Sequence, residues 1–272
     1  MNLAIIGCGY VGRAVAQYWH HKVVFIVSVT TTTAEKVPLL QTVSQKVTVL
    51  NTEDTQALKS FLQNQDVVLV SVARKGKSSY EDTYLGTACN LVSVITETSV
   101  RQVIYTSTCS VYGNLNGALV TEETPVNAVS DAEKVLKRTE ETWLGASSDK
   151  LRVCILRLGG IYGNGRELVK IYSRLAGKTR PGDGSRPINW IHLEDIVGAI
   201  EFVREHQLRG IYNLVDDSQF TNKELIQNVC EKYNLDPVSW DPSVQSDRSS
   251  VKLSNQKIKN AGYKLIHPQI IF

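Results

Sequence analysis

Short runs of continuous apolar residues alternate along the chain with longer stretches in which apolar positions recur every three or four residues. The runs are LAIIG at 3–7, KVVFIVSV at 22–29, KVTVL at 46–50, DVVLVSV at 66–72, QVIYTS at 102–107, LRVCILRL at 151–158 and GIYNLV at 210–215. Several are unbroken Val/Ile/Leu stretches rather than alternating ones, the pattern of strands covered on both faces. Helical periodicity marks 11–19, 54–62 and 84–98 between them. This alternation predicts an α/β fold, a Rossmann-type doubly wound parallel sheet of about seven strands.

Beyond Gly163 the pattern changes. A helix is expected over 166–175, then AGKTRPGDGSRP at 176–187 forms a loop rich in glycine, proline and basic residues. Further helices are expected over 193–206 and 221–233, the second with Thr221 three residues ahead of Glu224, a capping-box spacing. From about residue 234 the tail is polar, with a short helix near 255–260. The organisation that follows is a nucleotide-binding domain over 1–163, with 191–216 returning to its sheet. Residues 164–190 and 217–272 form a smaller, interleaved substrate-side region. No internal repeat or low-complexity segment interrupts the chain.

Composition narrows the partner. Of 272 residues, 42% are hydrophobic and 21% charged, ordinary for a soluble domain, and a net charge of +3 is too small to argue for nucleic acid or a membrane surface. A small-molecule substrate is therefore expected. Five cysteines, at 8, 89, 109, 154 and 230, include no C-x-x-C pair. They suggest neither a disulfide framework nor a zinc site, and no metal site is read from the sequence. All five thiols are expected to be buried and inert. The apolar core of MNLAIIGCGYVG is shorter than the roughly 7–15 residues of a secretion signal, and no run approaches the ~18 of a membrane helix. A cytoplasmic protein is the expectation.

The first strand leads into Gly7-Cys8-Gly9-Tyr10-Val11-Gly12, a G-x-G-x-x-G at the opening of a helix. The first glycine permits the tight turn, the second lets a pyrophosphate approach the backbone, and the third lets helix and strand pack closely. The helix N-terminus adds unpaired amides and a positive dipole end. An NAD-binding chain would place a carboxylate on the adenosine ribose about 20 residues on. Here the second strand ends Ser28-Val29-Thr30-Thr31-Thr32-Thr33, with no acid before Glu35. Hydroxyls at Thr30 and Thr31 can donate to a 2′-phosphate that a carboxylate would repel. NADP is thus the expected cofactor, with NAD as the alternative.

The segment Tyr105-Thr-Ser-Thr-Cys-Ser-Val-Tyr-Gly113 resembles the extended and atypical short-chain dehydrogenase/reductases, the NAD-dependent epimerase/dehydratase superfamily. TEETPVN at 121–127, LRLGGIYG at 156–163, PINWIHLEDIVGAI at 187–200 and GIYNLVD at 210–216 follow in the same order. Within that group the chain is most similar to the YeeZ-like branch. The resemblance implies that Thr108, four residues before the tyrosine of V-Y-G, holds the substrate's reacting oxygen. It further implies that Ser71, Val72 and Ala73 line the cofactor, that Asn51 and Thr52 sit near adenine, and that Gly160 and Ile161 lie beside the nicotinamide. His192 would brace the two regions, and pairing into a homodimer is common among relatives. One departure stands out: Ile6 occupies the place of the first glycine in the usual G-x-x-G-x-x-G.

A second departure concerns the acid. The resemblance implies a tyrosine four residues before a lysine, but SDAEKVLK at 130–137 offers Glu133 and Lys137, and no tyrosine occurs between Tyr112 and Tyr162. Tyr18 and Lys22 have the spacing but lie at the end of the first helix. Glu133 and Lys137 either pair on a helix surface, contributing about 0.3–0.5 kcal/mol, or Glu133 replaces the tyrosine as acid/base. Tyr112 is a further candidate. Arg74, Lys75 and Lys77, then Lys178, Arg180 and Arg186, and Arg248 in the tail suit an anionic, nucleotide-bearing substrate. Of these, Arg74, Arg186 and Arg248 are the substrate-binding candidates. Two functions follow: an NADP-dependent oxidoreductase or epimerase with a non-standard proton route, or a non-catalytic redox sensor that binds NADP.

Overall fold

The first apolar run forms β1 (Asn2–Ile6), and the glycine segment turns the chain into α1 (Tyr10–His20). In this computed structural model, residues 1–74, 76, 78–244 and 250–272 are described. Lys75, Lys77 and Arg248 lie outside them. The second strand, β2 (Ile26–Thr31), starts later than its apolar run. Residues 22–25 instead make a turn closed by the Phe25 amide on the Lys22 carbonyl at 2.9 Å, leaving Val23 and Val24 exposed. A short helical turn leads to α2 (Val37–Gln41), followed by β3 (Lys46–Val49), α3 (Thr55–Leu62) and β4 (Val67–Val70). Asp54 caps α3 by accepting from the Ala57 amide at 2.9 Å. A wide π-type turn over Glu81–Gly86 precedes α4 (Thr87–Ile95). Then come β5 (Gln102–Thr108), a short β6 (Leu119–Val120) and α5 (Asp131–Gly145).

The chain continues through β7 (Arg152–Leu158), β8 (Gly160–Tyr162), α6 (Leu168–Tyr172), β9 (Thr179–Pro181) and β10 (Trp190–His192). It ends through α7 (Leu193–Glu205), β11 (Gly210–Leu214), α8 (Asn222–Lys232), β12 (Ser239–Asp241), β13 (Lys252–Leu253) and α9 (Gln256–Asn260). Seven strands form one sheet in the order β11-β7-β5-β4-β1-β2-β3. This is the doubly wound parallel arrangement expected from the sequence.

The residues fall into two compact units. The first comprises Met1–Ser107, Ser130–Arg157 and Val197–Tyr212; the second comprises Thr108–Val129, Leu158–Ile196 and Asn213–Phe272. The second unit thus gathers more of the chain than 164–190 and 217–272. In the first unit Leu58, Phe61 and Leu62 of α3, Leu91 and Ile95 of α4 and Trp143 of α5 pack with Val68 and Val70 of β4 and Val103 and Tyr105 of β5. The core of the second unit is built by Tyr162, Leu168, Tyr172, Ile188, Leu225 and Val229, with Ile270 from the tail. No helix among the described residues is long and apolar enough to cross a membrane.

Two polar clusters fix helices of the first unit. Glu201 of α7 accepts from Trp19 Nε1 at 2.9 Å, Lys22 Nζ at 2.7 Å and Arg204 Nε at 2.7 Å. Burial works to raise its pKa, but these donors overcome that and bring it down to about 2. On α5, Glu140 is a buried carboxylate that accepts from Ser107 Oγ at 2.6 Å, Arg157 Nε at 3.1 Å and Arg157 Nη2 at 2.6 Å. Both side chains of this ion pair are only 4% exposed. Removing one partner strands the other charge in the interior, which costs several kcal/mol. Glu140→Ala is therefore expected to destabilise the protein by about 3–5 kcal/mol in urea unfolding, while the exposed neighbour Glu141→Ala changes it by under about 0.5 kcal/mol.

Candidate functional site

The glycine loop is shaped by two steric contacts and one opening. Gly7 has φ +86°, and a Cβ there would stand 2.6 Å from the Ser71 carbonyl oxygen and 2.9 Å from Val72 Cα at the end of β4. A Cβ on Gly12 would meet the Gly7 carbonyl oxygen at 2.5 Å. Gly9 differs: among the described residues nothing lies within 4 Å of where its Cβ would be. It is exposed and is the N-cap of α1, with no side-chain cap and no acidic residue in the first turn. A backbone face left open at an uncapped helix N-terminus fits the diphosphate of a dinucleotide. Gly7, Gly12, Ser71, Val72 and Thr30 are brought together here.

Thr30 serves the loop itself. Its buried hydroxyl accepts from the Gly7 amide at 3.3 Å and donates to the Ile5 carbonyl at 3.4 Å. Thr31 is also buried and closes a local turn, its oxygen accepting from the Thr33 amide at 3.1 Å. Cys8 is buried, which pushes its thiol up to about 12 against the opposing charges of Arg13 and Lys36. Those two cations lie on the first turn of α1 and in the short helical turn after β2. Asn51 is exposed and pairs with Glu53 at 2.9 Å. Ser71 Oγ accepts from Thr106 Oγ1 at 3.2 Å, tying the ends of β4 and β5. Ala73 is exposed, and Arg74 lies 5.3 Å over the Tyr80 ring.

The second unit carries Thr108, Gly160, Ile161 and Arg186. Thr108 Oγ1 accepts from the Ser110 amide at 3.2 Å and donates to Ser110 Oγ at the same distance, opening a helical turn over Cys109–Tyr112. Burial pushes the adjacent Cys109 thiol up to about 11, against the Thr108 hydrogen bond and the weaker pull of the Arg186 charge. Tyr112 is fully buried, its hydroxyl 2.9 Å from the Thr121 carbonyl and 2.8 Å from Asn213 Oδ1. Gly160 passes the Trp190 ring so closely that a Cβ would meet it at 2.9 Å, and Ile161 pairs with Ile191. Cys8, Cys154 and Cys230 are buried as expected, but Cys109 is only half-buried and Cys89 on α4 is exposed.

On α5, Glu133 and Lys137 are not brought together. Ser130 and Glu133 form a capping box: Ser130 Oγ accepts from the Glu133 amide at 3.3 Å, and the Glu133 carboxylate accepts from the Ser130 amide at 2.9 Å. Lys137 points to Glu141 at 3.8 Å, and its side chain is 48% exposed. The buried face of α5 is instead Val135, Leu136, Thr139, Glu140 and Trp143.

Asp216, just after β11, escaped sequence reasoning although it ends the quoted GIYNLVD run. It is buried beside a cavity of about 370 Å³ lined by polar residues including Asn189, Lys252 and Asn255. Burial pushes its carboxyl up to about 7; the Ser218 hydrogen bonds resist, and the charges of Asp217 and Asp195 add to the rise. Its Oδ2 has no hydrogen-bond partner among the described residues.

With this geometry in place, comparison with known proteins identifies the class. The family model described as NAD dependent epimerase/dehydratase family matches residues 4–214, and the chain belongs to that family. It is 29% identical over 212 residues to the protein YeeZ of Escherichia coli (strain K12), covering 76% of this chain and 73% of that one. Among solved structures, MoeE5 in complex with UDP-glucose and NAD aligns with a TM-score of 0.82 at 18% identity, over 97% of this chain and 93% of that chain. The dTDP-glucose 4,6-dehydratase from Bacillus anthracis str. Ames, in complex with NAD, aligns with a TM-score of 0.83 at 19% identity, over 98% and 92% of the two chains. At such identities these two structures share the fold.

The glycines separate two outcomes. Gly9→Ala is expected to melt within about 2 °C of the parent yet lose at least about tenfold in dinucleotide affinity by calorimetry, whereas Gly7→Ala melts several degrees lower. Asp216 sets a pH dependence. Between about 3.8, its ordinary value, and about 7 only the folded state holds the proton. Stability is therefore full below that window, falls as pH rises through it and levels off above. Relative to Asp216→Asn, the parent is expected to lose on the order of 4 kcal/mol between pH ~4 and ~7 in urea unfolding. Parallel profiles for the two proteins would show that Asp216 titrates normally.

Proposed function

We propose that this chain binds NADP at the glycine loop and acts as an oxidoreductase or epimerase on a small anionic metabolite of the nucleotide-sugar type. The observation that carries the reading is the open face of Gly9 at the uncapped start of α1. The choice of NADP rests on Arg13 and Lys36 acting on Cys8, together with the absence of a carboxylate from Ser28 to Thr33. Thr30 and Thr31, spent on backbone partners, contribute by holding the loop and the strand end. Ser71, Val72 and Ala73 line the cofactor from the end of β4, Asn51 lies toward adenine, and Gly160 and Ile161 flank the nicotinamide. A bound nicotinamide supplies a hydride acceptor or donor.

The chain's own residues then handle the oxygen and the charge. Thr108 holds the reacting oxygen through its hydroxyl, and the exposed Ser110, already hydrogen-bonded to it, passes the proton between that oxygen and solvent as the hydride moves. Arg186 and Arg74 take the anionic part of the substrate. Glu133 and Lys137 keep structural roles at the start and on the surface of α5. The finding that UDP-glucose and dTDP-glucose chemistry belongs to proteins of the same fold makes those sugars the first to test.

A second reading, an NADP-binding redox sensor without turnover, is favoured by one specific feature. The buried face of α5 carries no tyrosine, and its Glu140 is committed to Arg157 and Ser107. Calorimetry with NADP and NAD, followed by a screen of nucleotide sugars at the reduced-nicotinamide absorbance band, separates the two. Expected for the enzyme is turnover that Thr108→Val lowers by about 10²-fold or more without changing NADP affinity. Tight NADP binding with no turnover on any sugar supports the sensor. Arg13→Ala with Lys36→Ala is expected to weaken NADP by about tenfold or more and NAD by less; no binding of either dinucleotide would overturn both readings.

A further inference from the structure

Within the second unit, two histidines and a glutamate converge at the start of α7. A ring nitrogen of His192, a carboxylate oxygen of Glu194 and a ring nitrogen of His267 lie within 4.8 Å of one another. His267 Nε2 is 2.7 Å from Glu194 Oε2, and His192 Nδ1 is 4.0 Å from the same oxygen. Four-coordinate zinc holds imidazole and carboxylate ligands at about 2.0–2.1 Å, which separates ligand atoms by roughly 3.3 Å. The two observed separations bracket that value.

The ligands are also held in place by groups that are not ligands. His192 is buried, with its ring edge-on to Tyr162 at 5.0 Å, and its Nδ1 accepts the Glu194 amide at 3.3 Å, a hydrogen bond that ligation exchanges for the ion. Asp195 is fully buried and grips the segment that carries His267: Oδ1 accepts the Ile266 amide at 2.6 Å and Oδ2 accepts the His267 amide at 3.0 Å. The Tyr263 hydroxyl donates to the Asp195 carbonyl at 2.8 Å, adding a third tie. Glu194 is half-exposed, leaving one side open for ion entry and for a water ligand. The carboxylates of Glu194 and Asp195 supply the negative charge that a divalent cation needs beside a helix N-terminus.

We propose that His192, Glu194 and His267 bind a divalent ion of the zinc class, completed by water, which staples the C-terminal segment to the start of α7. Binding exchanges the proton between His267 and Glu194 for the ion, with the ring nitrogens and the carboxylate oxygen as donors. The staple has a structural consequence, because Ile270 and Phe272 just beyond His267 pack in the core of the second unit. This inference does not depend on the proposed activity.

The test uses the full chain, free of any histidine tag, with Zn²⁺ or Co²⁺ alone as the probe. Calorimetry is expected to show one equivalent of Zn²⁺, the Co²⁺ form to show the visible bands of a four-coordinate site, and the melting temperature to rise with added Zn²⁺. Glu194→Gln and His267→Ala are each expected to lower the affinity by at least about tenfold. Glu194 is a surface side chain, so its variant folds and keeps the test decisive. Replacing His20 and His21, the adjacent pair in the first unit, leaves the affinity unchanged. No saturable uptake, or uptake undiminished in both Glu194→Gln and His267→Ala, overturns the proposal.

Discussion

At Gly7 one stretch of backbone passes another with no room for a methyl group, and what the first unit presents to a ligand hangs on that contact. The carbonyl of Ser71 occupies the place where a side chain would begin. Two central strands, β1 and β4, can therefore end at the same level, and the first turn of α1 can start directly above them. Gly12 repeats the constraint one helical turn later by packing against the Gly7 carbonyl. Gly9, between them, is under no such pressure.

The charged interior of the first unit works in a related way. Glu140 and Arg157 sit on α5 and β7, and Ser107 brings in the end of β5, so one ion pair fixes a helix against two strands. Thr108 is the next residue along β5. Its hydroxyl is held by the helical turn it caps, accepting from the Ser110 amide at 3.2 Å.

Much of the framework was legible in the sequence because it rests on local rules. Unbroken Val/Ile/Leu runs marked the buried strands, and Thr221 with Glu224 announced a capping box that the structure contains. The same signature stands at Ser130-Asp131-Ala132-Glu133, where the Glu133 carboxylate serves the cap rather than the chemistry expected of a residue four before Lys137. Val23 and Val24 were counted into a strand because apolar character does not reveal where a turn must close. Glu140 could not be recognised from its own surroundings, TEET, which read as a surface helix. The available signal was an arginine inside the apolar run LRVCILRL, which demands a buried partner. Asp216, Glu194 and His267 depend on segments up to 73 residues apart meeting in space, and no local pattern encodes that.

The division of the chain has a consequence for its biosynthesis. The boundaries between the two units are crossed five times, at 107/108, 129/130, 157/158, 196/197 and 212/213. Neither unit is a continuous piece that could be cut out and expressed by itself. On the ribosome, where domains usually fold in the order they emerge, the outermost strand of the sheet waits until its last residues have left the exit tunnel. Until then the edge of β7 that will receive β11 stays unpaired.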